Sequence, residues 1–287
     1  MRIVHVIPYF QPKLGYQEYY LAKEQQKLGH EVFVVCSDRY YPFSNYEETV
    51  QKVLGDRKRA PGTFYEESLM VVRLPTLLEF ASDNIYIHLE RTIKKINPDI
   101  IHAHGVFSYS TFCLCIMKRK YKYRLIVDCH MDYEHQSDIW YRRIIFKTIA
   151  KNRFYKNVLK QIDRFMGITM SSIKWLVQEH GLSESDIDFV PLGVDTDLFI
   201  HSTTSRLLIR KKYGIQDEDI LIITAGRSEP NKNIDILLRS CIPLIKNQRT
   251  LKIMIIGSKK GTYYEQLYRI VIDSDVVENI LFLEFVE

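Results

Sequence analysis

Apolar residues along this chain fall into short runs separated by amphipathic stretches of helical length, the pattern of a parallel sheet wrapped by helices. The first run, 2–8, leads through a loop holding Pro12 and Gly15 into a helix that reaches about Leu28. Gly29 and His30 end that helix, glycine being the residue that most easily turns the chain beyond a helix C-terminus, and 31–37 reads as a second strand. Further strands are expected at 70–74, 99–103, 124–129, 164–168 and 188–190, with helices at 84–96, 108–118, 139–162 and 171–180. The polar and basic stretch 38–68, broken by Pro42, Gly55, Pro61 and Gly62, reads as an insertion with limited regular structure. Seven strands are enough for one doubly wound lobe. After a polar connection at 201–205 a second series begins: a buried strand at 219–225, a helix from Asn233, a strand at 251–257, a helix from Tyr263 and a strand at 279–285. The expected fold class is therefore α/β, with two Rossmann-like doubly wound lobes, residues 1–200 and 206–287. Three strands with no closing helix make the second lobe read as truncated.

With 287 residues, 46% hydrophobic and 26% charged, the chain has material for two cores. Its five cysteines, Cys36, Cys113, Cys115, Cys129 and Cys241, form no Cys-x-x-Cys pair, and an odd count without secretory context points to reduced thiols. The apolar start at 2–8 is a strand rather than a signal peptide, and no run approaches the roughly 18 residues of a membrane span. A cytoplasmic location is expected. The formal charge of +5 is modest and no nucleic-acid module is present, so nucleic acid is not an expected partner. The charge is concentrated, however, in 139–164, where eight basic residues face one acid, Asp163, among Trp140, Phe146, Phe154 and other aromatics. Such a helix either covers the sheet with a solvated basic face or makes peripheral contact with an anionic membrane.

Open parallel sheets bind ligands beyond the carboxyl ends of their strands, so the residues there carry the candidate chemistry. After the first strand, Gly15 beside a helix N-terminus either lets backbone N–H groups approach a phosphate or serves as a plain turn residue. It is not part of a Gly-x-Gly-x-x-Gly, which disfavours a dinucleotide. The fourth and fifth strands run into His102-Ala103-His104-Gly105 and Asp128-Cys129-His130-Met131-Asp132, where a histidine can donate to a sugar, act as a base, or be structural. His102, His104 and His130 have no established ligand spacing, so no metal site is assigned. In Thr224-Ala225-Gly226-Arg227-Ser228-Glu229-Pro230-Asn231-Lys232-Asn233, Arg227 and Lys232 flank a helix N-terminus. They suit a diphosphate, gripped by a guanidinium fork and a point charge; the competing reading is a solvated loop with an Arg227–Glu229 surface pair.

Taken in order, these segments resemble the family 4 retaining glycosyltransferases of the GT-B fold, and the similarity runs over nearly the whole chain. The Pro-x-x-Gly loop ending in Gly15, Gly29-His30-Glu31-Val32, Pro98-Asp99-Ile100-Ile101-His102-Ala103-His104, Asp128–Asp132, Pro191-Leu192-Gly193-Val194-Asp195 with Phe199, and Gly226-Arg227 with Lys232-Asn233 carry it. The resemblance implies sugar transfer with retention from a nucleotide diphosphate-sugar, the donor substrate, to a glycan or lipid-linked acceptor, with no cofactor and no metal. Arg227 and Lys232 would hold the donor diphosphate and offset leaving-group charge. His130 would lie near the transferred sugar, the Gly15 loop would approach the phosphates from the other lobe, and His104 and Asp132 are the acceptor-side candidates. The chain departs from the family at Tyr16 after Gly15, at Leu192, in the turn Gly257-Ser258-Lys259-Lys260, and at Glu284. The family's Glu-x7-Glu segment would fall beyond residue 287, which leaves a catalytically inactive fragment or accessory subunit as the alternative expectation.

Overall fold

The computed structural model describes residues 1–43, 46–80, 83–132, 148 and 152–284. The chain forms two compact units, Met1–Thr196 and Asp197–Glu287.

The first unit contains β1 (Arg2–Val6), β2 (Glu31–Ser37), β3 (Gly62–Glu66), β4 (Leu69–Leu74), β5 (Thr76–Phe80), β6 (Asp83–Tyr86), β7 (Ile100–His104), β8 (Arg124–Cys129), β9 (Arg164–Gly167) and β10 (Ile187–Phe189). Eight of them form one sheet in the order β10-β9-β8-β7-β1-β2-β4-β3, parallel throughout except for β3, which hairpins antiparallel onto β4. The chain builds outward from β1 through β2 to β4, then returns to lay β7 on the other side of β1. The boundary between β1 and β7 is thus the topological switch point, where a doubly wound sheet opens a crevice. Alternation along the strands sorts the side chains into two layers. Val4, Val6, Ile101, Ala103, Leu125 and Val127 pack with the helices Leu89–Ile96, Tyr109–Met117, Arg153–Leu159 and Met170–His180. Ile3, Val32, Val34, Cys36 and Val71 pack with Phe10 and with Ala22 of the helix Gln17–Lys27. Each fully buried aliphatic side chain contributes about 1.5–3 kcal/mol.

Two expectations change here. Residues 38–68 contain β3 as well as two four-residue helices, Tyr46–Thr49 and Gln51–Leu54. The strand is held by Arg73 of β4, whose fully buried guanidinium donates to both carboxylate oxygens of Glu66 at 2.8 and 2.7 Å. Residues 84–96 are not a single helix: β6 pairs antiparallel with β5, and the helix starts only at Leu89. The hairpin is tied to the loop after β1, Asn84 donating to the Pro8 carbonyl and Tyr9 to Glu79 and the Asp83 carbonyl. Those partners lie about 75 positions away in sequence, beyond the reach of a local pattern. Of the expected basic helix at 139–162, residues 139–147 and 149–151 lie outside the described residues. The remaining helix, Arg153–Leu159, buries Tyr155, Val158 and Leu159 against the core and leaves Phe154 exposed.

In the second unit the helix Thr203–Lys212 begins inside the expected polar connection, with the Ser202 hydroxyl accepting from the Ser205 N–H as its N-cap. β11 (Ile220–Ala225), β12 (Leu251–Ile256) and β13 (Ile280–Leu283) form a parallel sheet in that order. The helices Ile234–Asn247 and Thr262–Asp273 bring Leu238, Ile245, Leu267 and Val271 onto Ile253 and Ile255 of β12. β12 is buried as expected, but β11 is not, with Ile220 and Ile223 more than half exposed. It is an edge strand whose ladder partner among the described residues is β12 alone, which sequence pattern does not reveal. Of the strand expected at 279–285, β13 covers Ile280–Leu283, and residue 285 lies outside the described residues. Among the described residues no helix is long and apolar enough to cross a membrane. All five cysteines are free thiols.

Candidate functional site

In the first unit, parallel register places four polar side chains on one sheet face at the switch point. His5 of β1 opposes His102 of β7, and His104, two residues further on, opposes Asp128 of β8. A two-residue side-chain period then puts all four on the same side. His104 Nδ1 lies 2.5 Å from Asp128 Oδ2, and His104 Nε2 lies 2.9 Å from His5 Nδ1. His5 Nε2 in turn lies 2.8 Å from Gln25 Oε1 on the helix Gln17–Lys27. The Gly105 N–H donates to Asp128 Oδ1 at 3.1 Å. His102 Nε2 lies 3.3 Å from Asp128 Oδ2 without the alignment of a hydrogen bond, and His130 Nε2 lies 3.6 Å from the same oxygen.

Burial alone would raise the Asp128 carboxyl, but the imidazoles of His104, His102 and His130 outweigh it and hold the group well below the usual carboxylate range. Burial, reinforced by His104 and His102, holds His5 well below the ordinary imidazole value, and burial lowers His104 against the pull of Asp128. His130 goes the other way: its burial is outweighed by Asp128 and Glu18, which raise it. Glu18, in the first turn of the helix Gln17–Lys27, is pushed up to about 7 by burial, although its own backbone N–H pulls it down.

The structure thus brings His102 and His104 together with His5, and joins His130 to them through Asp128. The ligand atoms of His5, His102 and His104 lie within 4.8 Å of one another. The 2.9 Å contact between the His5 and His104 nitrogens is nonetheless a hydrogen bond, shorter than the roughly 3.3 Å that two imidazole nitrogens keep around tetrahedral zinc. His104 and Asp132 are both buried. Gly15 adopts a left-handed conformation, φ 65°, closing the 3-10 turn Pro12–Leu14 ahead of the helix Gln17–Lys27. His5, Glu18 and the hub role of Asp128 were not singled out from sequence. The available signal was the alignment of the apolar runs into parallel strands, which would have set His5 beside His102.

In the second unit Arg227 and Lys232 are both exposed beyond the carboxyl end of β11, in the connection to the helix Ile234–Asn247. Two strand ends are cinched together there: the Gly226 N–H donates to the Ile256 carbonyl and the Ser228 hydroxyl to the Ser258 carbonyl at 2.8 Å. A Cβ on Gly257 would lie 2.4 Å from the Gly226 carbonyl oxygen, so only glycine permits this approach. Pro230–Lys232 form a 3-10 turn, and Asn233, at φ 53°, starts the helix without a side-chain cap. Arg227 pairs with Glu229 at 3.0 Å. The surface pair anticipated as the competing reading is therefore present, alongside the exposed placement that a diphosphate requires.

The sheets, their crossovers and the switch point are those of a GT-B glycosyltransferase lobe pair. A HepE structure from Anabaena, in complex with UDP, superposes with a TM-score of 0.69 at 14% identity, covering 100% of this chain and 70% of that one. A glycosyltransferase from Rickettsia africae gives 0.69 at 14% identity, covering 100% and 68%. Residues 17–198 match Glycosyltransferase Family 4, and residues 205–287 match Glycosyl transferases group 1. The chain belongs to Glycosyltransferase Family 4. Among its relatives, a D-inositol 3-phosphate glycosyltransferase from Nocardia farcinica is 26% identical over 133 residues, 45% of this chain and 29% of that protein. A GDP-mannose-dependent alpha-(1-6)-phosphatidylinositol monomannoside mannosyltransferase from Mycolicibacterium smegmatis is 31% identical over 96 residues, 33% and 24%. The chain thus spans less than a third of the length of these curated relatives.

Proposed function

We propose that this protein transfers a sugar from a nucleotide diphosphate donor to a glycan or lipid-linked acceptor, with retention at the anomeric carbon and without a metal ion. The observation that carries the reading is the exposed Arg227 and Lys232 at the end of β11, on a loop braced by Gly226, Gly257 and the Ser228–Ser258 hydrogen bond. Names among the relatives and fold neighbours support it: one is GDP-mannose-dependent, and HepE was solved with UDP and with UDP-glucose. The second lobe is the donor side and the first the acceptor side. When the bond from the anomeric carbon to the diphosphate oxygen breaks, negative charge grows on the diphosphate. Arg227 grips it through two N–H donors and Lys232 adds a second positive charge, the task a metal performs elsewhere. The existing Arg227–Glu229 pair does not oppose this, because an exposed ion pair is worth only about 0–1 kcal/mol and yields readily to a doubly charged ligand. His130 supplies a donor to the transferred sugar.

The test is calorimetric titration of UDP-glucose and GDP-mannose, with EDTA present. The reading expects binding that EDTA leaves intact, an affinity loss of at least about tenfold in Lys232→Ala, and a comparable loss in Arg227→Lys, which keeps the charge but not the fork. Unchanged binding in both variants would remove the site. Peripheral membrane contact through 139–164, on the cytoplasmic face, belongs to the same reading; equal sedimentation with anionic and neutral vesicles would sink it.

A further inference from the structure

Asp128 is 1% exposed, and among the described residues its ion-pair partners are three imidazoles, with no lysine or arginine. A buried carboxylate without a cation is costly, and a second proton on one of those imidazoles offsets that cost. Hydrogen bonding narrows the choice. A neutral His104 donates Nδ1–H to Asp128 and accepts at Nε2 from His5 Nδ1–H. His5 Nε2 then accepts from the Gln25 amide, whose oxygen and nitrogen ends are set by this network. The chain Gln25–His5–His104–Asp128 is therefore satisfied with both rings neutral. A His104 imidazolium donating in both directions would place the charge on a ring only 7% exposed, and a His102 imidazolium would place it on one only 4% exposed. The His130 side chain is 44% exposed, so a proton there forfeits far less hydration.

We propose that Asp128 is a positioning residue that keeps His130 doubly protonated, so that His130 meets its ligand as a cationic N–H donor and not as a base. With Nε2 turned toward Asp128, Nδ1–H is the donor left for the ligand. What the charge does rests on the transferase reading above; where the charge sits does not. Among the described residues the titratable groups around His130 are Asp128 on β8, Glu18 on the helix Gln17–Lys27, His104 on β7 and, two residues along its own segment, Asp132. The raised His130 and lowered His104 agree with this placement. Glu18, titrating at about 7, strengthens the hold on the His130 proton only above that pH.

The test is a proton–nitrogen NMR titration of the nine histidines in the labelled full chain between about pH 5 and 9, with His130 assigned from His130→Gln. The wild-type His130 midpoint is expected above the ordinary value of 6.5, falling by at least about one pH unit in Asp128→Asn and by less in Glu18→Gln. A wild-type midpoint at or below 6.5, or a His104 midpoint above that of His130, overturns the proposal even if Asp128→Asn does not fold. No donor is needed for this readout, so it stands apart from failure of the transferase reading. If transfer is observed, the alkaline limb of kcat/KM should follow the His130 midpoint and move with it in Asp128→Asn. A fall in kcat/KM with no movement of that limb would reduce Asp128 to a structural role.

Discussion

His180 offers the clearest quantitative test of the first unit's core. It closes the helix Met170–His180 and lies buried among Trp175, Phe107 and Tyr155, with ring centroids 4.7, 4.8 and 6.1 Å away. Neither ring nitrogen has a hydrogen-bond partner among the described residues. A helix C-terminus ordinarily favours a charged imidazole, but burial, with a smaller effect of Lys156, lowers His180 from 6.5 to about 4. The folded state therefore holds it neutral while the unfolded chain takes up a proton near 6.5. The associated stability is complete above that value and is lost as pH falls toward 4. At about 1.36 kcal/mol per pH unit the full window amounts to ~3.4 kcal/mol, of which ~2 kcal/mol is gone by pH 5. His180→Phe keeps the aromatic packing and removes the titration. Urea unfolding at pH 7.5, 6 and 5, followed by Trp175 emission in a Trp140→Phe background, should show the wild type losing ~2 kcal/mol more than the variant, a midpoint gap of about 1 M. His5 and His104 are present in both proteins and cancel in the comparison. Midpoints that move in parallel with pH would refute the reasoning, and with it the burial of an uncharged, unpaired imidazole.

Glu66→Ala should destabilise the first unit by about 3 kcal/mol, because among the described residues it leaves the fully buried Arg73 with only the Ser37 carbonyl, the Cys36 thiol and the Tyr40 ring as partners. A loss below about 1 kcal/mol in urea unfolding would show that the guanidinium finds water instead. Gly257→Ala places a methyl 2.4 Å from the Gly226 carbonyl and 3.0 Å from the Ser228 hydroxyl, an overpacking cost of about 1–3 kcal/mol that pushes the Arg227 loop away. Nucleotide affinity should fall by at least about tenfold, while the second unit unfolds lower by about 4–8 °C for each kcal/mol of that cost; intact binding would mean that this bracing does not position Arg227.

Much of the sheet was legible from sequence. The strands Glu31–Ser37 and Arg124–Cys129 and the helix capped by Ser108 fall where the apolar spacing places them, since a local period of 2 or 3.6 reports which way each side chain points. The placement of Arg227 and Lys232 in one loop between a strand and a helix was legible for a related reason: that juxtaposition is local. Tertiary structure decided the rest. β3 exists because Glu66 reaches Arg73, and β5 and β6 form a hairpin because Asn84 and Tyr9 tie it to the loop after β1. β11 is exposed because, among the described residues, the strand order gives it a single neighbour, β12. Asp128 becomes a hub because parallel register sets it beside His104, and His5 joins because β1 lies against β7. Periodicity encodes the direction of a side chain; strand order and register, settled by contacts about a hundred residues apart, decide what it meets there.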